Sequence, residues 1–136
     1  MRTKSFFTSV LLLCTFYCLA QNNLPVVGTW KLISGKAVID DSTVTYGNSG
    51  NESMKIVTPT HFSVISKNTS DGTMQHAVAG RVKIDATNYT EFLDFASRRD
   101  MVSKTARFTY RVEGNKWYIK GGIDNMQFDE VWQKVE

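Results

Sequence analysis

Cysteine is nearly missing from this chain of 136 residues: there are two, Cys14 and Cys18, both within the first 20 positions. From Gln21 onward there is no thiol, so a disulfide framework is excluded and the core has to hold the fold unaided. Histidine is equally scarce, at two residues, His61 and His76, which are too isolated to suggest a metal-binding cluster. No apolar stretch follows the first 20 residues, which removes the pattern of a helical membrane channel. There is also no repeat, no low-complexity tract and no linker. No block of one charge sign survives beyond Arg98-Arg99, so the electrostatic footprint of a nucleic-acid binder is lacking.

The N-terminus is the first positive signal. Arg2 and Lys4 precede an apolar block from Ser5 to Ala20 that ends in small residues at Cys18 and Ala20. That pattern is expected of a secretory signal peptide, residues 1–20, cleaved before Gln21. Leu13 and Tyr17 stand before the cysteines where bacterial lipidation needs a small residue, so the product is expected to be secreted or periplasmic without an anchor. Removing 20 residues leaves 116, enough for one domain, 21–136, with one core. The 16 basic residues fall to 14 against 13 acidic ones, a formal charge of +1.

Turn signals recur along the rest of the chain: Gly35, Tyr46 to Asn51, Thr58-Pro59-Thr60, Asn68 to Gly72, Asp85 to Asn88, Ser97 to Asp100, Glu113-Gly114-Asn115 and Gly121 to Asn125. Between them lie short runs rich in Val, Ile, Thr, Tyr, Phe and Trp, residues suited to a pleated, half-buried surface. The spacing predicts an all-β domain, with one turn of helix allowed near Thr58 to His61 because Pro59 suits a first helical position. Period-two alternation assigns inward faces. These are Met74, His76, Val78, Gly80, Val82 and Ile84; Tyr89, Glu91, Leu93 and Phe95; Ala106, Phe108, Tyr110 and Val112; Trp117 and Ile119; and Phe128, Glu130, Trp132 and Lys134. Arg107 and Arg111 fall on the outer face and read as an ordinary solvated surface. Three glycosylation triplets, beginning at Asn51, Asn68 and Asn88, matter only for a eukaryotic source.

Val27-Gly28-Thr29-Trp30-Lys31-Leu32 opens the first strand, and Trp132-Gln133-Lys134 lies in the last. A Gly-x-Trp at that place in an all-β chain of this length resembles the lipocalin and fatty-acid-binding (calycin) superfamily. The resemblance implies a single antiparallel up-and-down β-barrel of about eight strands, with Trp30 plugging one end. It also implies a structural latch of Gly28, Trp30 and Lys134, the lysine standing where the family pattern usually has Arg. Tyr89-Thr90-Glu91, Gly114 to Trp117 and Glu130 to Lys134 are similar to a narrower group of small secreted lipocalin-like bacterial proteins of uncharacterised function. The fatty-acid-binding branch fits less well, because Gly35 to Thr45 reads as strand and loop where that branch has a helical lid.

A barrel of about eight strands is either filled by its side chains or holds one small ligand. If a cavity remains, His76, Tyr89 and Glu91 are its candidate polar contacts, and Phe108, Tyr110 and Trp117 its walls. Such a lining suits a small hydrophobic or amphipathic molecule bound without chemical change and without a cofactor. An inward His76 needs partners for its ring nitrogens, and it either orients a ligand or is a satisfied interior histidine. Glu91 and Glu130, within apolar rows, either accept internal bonds (Glu91 from Tyr110 or His76, Glu130 from a lysine) or do acid–base chemistry. No nucleophile motif, phosphate loop or metal cluster supports an enzyme. The alternative is a filled barrel serving as an inhibitor or protein-interaction module, and a small hydrolase or isomerase ranks third.

Overall fold

The computed structural model describes residues 24–47 and 50–136; the signal segment expected at 1–20 lies outside them. Nine strands run in chain order: β1 Gly28–Ile39, β2 Ser42–Tyr46, β3 Asn51–Val57, β4 His61–Asn68, β5 Met74–Ile84, β6 Asn88–Ala96, β7 Thr105–Glu113, β8 Lys116–Ile123 and β9 Met126–Lys134. All neighbours are antiparallel, and β1 pairs with β9 to close the sheet. Along its other edge β1 pairs with β2 through Gly35–Ile39 and with β3 through Gly28–Lys31. Thus β2 and β3 are two halves of one stave, and nine segments make the eight-stranded up-and-down barrel expected from the sequence. This architecture is compatible with a lipocalin-like fold.

Local chemistry explains the connections. Asp40 and Asp41 take φ of 45° and 65°, the left-handed pair that a two-residue hairpin needs and that Asp tolerates. Between β3 and β4 the helical turn that Pro59 allowed at Thr58–His61 does not form. Thr58 Oγ1 instead accepts from the His61 amide at 2.9 Å and donates to the His61 carbonyl at 3.2 Å, holding a tight strand connection. The short helical turn lies elsewhere, a 3₁₀ turn at Arg99–Met101. Gly35, read as a turn signal, lies inside β1. A Cβ there would stand 2.2 Å from Cε2 of Tyr46, so the glycine gives the Tyr46 ring room to lie across the strand.

One end of the barrel is closed by aromatics. Trp30, Tyr89 and Trp117 are fully buried. Trp117 meets Trp30 and Tyr89 edge to face, at centroid separations of 5.3 and 5.0 Å. The Trp30 indole donates to the Val26 carbonyl at 2.8 Å. The Lys134 ammonium stands 5.5 Å from the centre of the Trp30 ring and donates to the Val27 carbonyl at 3.3 Å. Gly28, at φ 140°, lies under that lysine, and a Cβ on it would come within 2.7 Å of the Glu136 carbonyl oxygen.

Two inward assignments are corrected, both by β-bulges that the pattern of alternation does not reveal. Ser66 pairs with His76 but Lys67 pairs with Met74, so Gln75 is an extra residue, and Met74 is turned outward at 68% exposure. Ala79 pairs with Phe95 but Gly80 pairs with Leu93, so Asp94 is extra and Phe95 is 72% exposed. The second bulge is held by Arg81, whose guanidinium grips both carboxylate oxygens of Asp94 at 2.9 and 3.0 Å. Strand β3 is inverted relative to its composition. Ser53, Lys55 and Val57 point in, while Met54 and Ile56 are exposed and Met54 pairs with Ile65, also exposed.

Candidate functional site

A cavity of about 330 Å³ occupies the half of the barrel away from the Trp30 plug. Leu32, Val64, Val78, Leu93 and Phe108 give it apolar walls, Tyr46 and Gly47 lie at one side, and Lys55, Glu91 and Glu130 are its charged groups. The volume is at the lower end of the range for small-molecule pockets.

The floor is an ion pair enclosed by rings. Lys55 on β3 is 3% exposed and donates to Oε1 of Glu91 on β6 at 2.9 Å. Four aromatic rings surround the ammonium: Trp132 at 4.9 Å, Trp117 at 5.1 Å, Tyr89 at 5.4 Å and Phe108 at 5.9 Å from their centroids. A carboxylate and ring faces together replace the water that a buried ammonium loses. Tyr89 supplies a face, and its own hydroxyl has no hydrogen-bond partner among the described residues. Burial, and then the negative charge of Glu91, push that hydroxyl well above the usual tyrosine range, so it stays protonated.

A second polar group sits on β9. Glu130 accepts from the Tyr46 hydroxyl at 2.7 Å through Oε1 and from the Trp132 indole at 2.9 Å through Oε2. Trp132 therefore joins the two charged groups, presenting its ring face to Lys55 and its N–H edge to Glu130. Tyr46 is driven far above the ordinary tyrosine range, first by burial and then by the Glu130 charge, and remains a donor. His76 faces the cavity from β5. Burial, and then the positive charge of Arg98, lower its pKa, so the ring is neutral at neutral pH.

The sequence candidates divide by position. His76, Glu91 and Phe108 line the cavity. Tyr89 and Trp117 lie beneath it, packed against the Lys55 ammonium. Tyr110 is at the closed end, where its hydroxyl donates to the Asp85 carbonyl at 2.7 Å. The partner expected for Glu91 was Tyr110 or His76, and it is Lys55; the lysine expected for Glu130 is replaced by Tyr46 and Trp132. Lys55 and Tyr46 were missed altogether. Alternation within Asn51–Val57 could have flagged Lys55 only by setting Val57 above Met54 and Ile56 as the inward marker. Among the described residues no three His, Cys, Asp or Glu side chains are grouped to hold a metal ion. On the outer face Arg111 lies 3.9 Å from the Tyr118 ring centre and pairs with Glu113 at 2.7 Å. Comparison of the chain with protein-family models, with curated proteins and with solved structures yields no match.

Proposed function

We propose that this chain is an exported calycin-type barrel that binds one small amphipathic molecule in its cavity and releases it unchanged. The observation that carries the reading is the 330 Å³ space with apolar walls and a polar floor. A barrel acting only through its loops or outer face has no use for such a space, because an unfilled interior forfeits packing energy. The two carboxylates have internal donors rather than an aligned nucleophile, which favours recognition over turnover. Export rests on the Met1 to Ala20 pattern, and the mass of the mature N-terminus in an extracytoplasmic fraction tests it.

Titration with the apolar fluorophore N-phenyl-1-naphthylamine tests the binding. Saturable 1:1 binding with blue-shifted emission is expected, and Val64→Trp, which fills the cavity, abolishes it while circular dichroism is retained. No binding by the wild type overturns the proposal. So does undiminished binding by V64W, which would place the probe on the exposed Met54–Ile65 face.

A further inference from the structure

The cavity has three formal charges among the described residues: Lys55, Glu91 and Glu130. They are not equivalent. Lys55 and Glu91 neutralise each other at 2.9 Å, and the lysine side chain is 4% exposed, so its ammonium is sealed under the floor. An anionic ligand head brought to that ammonium would stand beside the Glu91 carboxylate, and the two like charges would repel. Glu130 is different. Its two partners, Tyr46 and Trp132, are neutral donors, and each of its oxygens keeps a further lone pair. The remaining ionisable ring in the wall, His76, is neutral at neutral pH because of its burial and Arg98. The cavity thus has one uncompensated negative charge, set among the aromatic rings of Tyr46, Phe128 and Trp132. A carboxylate with no opposite charge among its partners, in a space of reduced dielectric, attracts a cation and repels an anion.

We infer that the ligand of this barrel has a single cationic or strongly donating head, such as a primary ammonium, that docks on Glu130, with an apolar body against Leu32, Val64 and Leu93. The inference rests on the small-ligand reading above and narrows it to a chemical class.

The test compares three probes with one chain length and different heads, octylammonium, octanol and octanoate, by calorimetry on the full mature protein at pH 7. Octylammonium is expected to bind about ten-fold or more tighter than octanol, with octanoate weakest. Glu130→Gln keeps an acceptor for Tyr46 or Trp132 and is expected to lower octylammonium affinity about ten-fold. Octanol affinity should stay within about two- to three-fold, and octanoate should gain. Octanol binding as well as octylammonium, or octanoate binding best, overturns the cationic head while leaving small-ligand binding standing. If none of the three binds, the small-ligand reading fails and this inference with it. If E130Q does not fold, the ranking of the three probes on the wild type decides alone.

Discussion

Breaking the Lys55–Glu91 pair by one partner should cost far more than replacing both. Both side chains are almost fully buried and 2.9 Å apart, so Glu91→Leu leaves an ammonium under the cavity floor with only ring faces around it. Loss of one partner of a buried pair costs about 3–5 kcal/mol. Lys55→Met leaves the Glu91 carboxylate unpaired in the same place and should cost a similar amount. Replacing both, in Lys55→Met with Glu91→Leu, removes the desolvation penalty together with the attraction and should return stability to within about 1 kcal/mol of wild type. Urea unfolding of the four proteins can be followed by tryptophan fluorescence, since Trp117 and Trp132 both face Lys55. The cycle should give a coupling of at least about 2 kcal/mol. A double variant whose loss equals the sum of the two single losses would falsify the pairing.

Two further outcomes test other parts of the structure. Trp30→Ala empties the closed end, where the ring is fully buried and packed edge to face on Trp117, and should destabilise by about 3–5 kcal/mol in urea; unchanged stability refutes Trp30 as the plug. His76 has a folded-state pKa below the ordinary value of 6.5, so its contribution to stability is fully present above about pH 6.5 and is lost as pH falls toward the lower folded value. Subtracting the stability–pH curve of His76→Gln from that of the wild type cancels the aspartates common to both, and a difference that stays flat below pH 6.5 refutes burial of the ring.

The all-β class and the closed end were legible because they rest on long-wavelength signals: regular turns, alternating rows such as Ala106–Phe108, and a Trp near the first strand's start. Where the rows broke, the cause was a single inserted residue. Gln75 and Asp94 each shift the register by one, which turns Met74 and Phe95 to solvent although both are apolar. The hydrogen-bonding chemistry of Asp94 with Arg81 selects that bulge, and the two are 13 positions apart. Similarly Gly35 looked like punctuation because its role, making room for the Tyr46 ring, belongs to a neighbouring strand.

Lys55 was illegible for a deeper reason. In Asn51–Val57 the polar residues face the interior and Met54 and Ile56 face solvent, so hydrophobic patterning points the wrong way. What makes the inversion tolerable is non-local: Glu91 from β6 and rings from β6, β7, β8 and β9 converge on one ammonium. The aromatics that seal the barrel are therefore also the surroundings of its charged floor. Fold and site share Tyr89, Trp117 and Trp132, and changes at these residues or at Glu91 confound binding with stability. Glu130 overlaps less: Tyr46 and Trp132 donate charge-assisted bonds to it, worth about 1.5–3 kcal/mol each, and Glu130→Gln keeps an acceptor for one of them. Among the described residues it is the cavity charge with no opposite charge for a partner, so its removal should disturb folding less than removal of Lys55 or Glu91 alone.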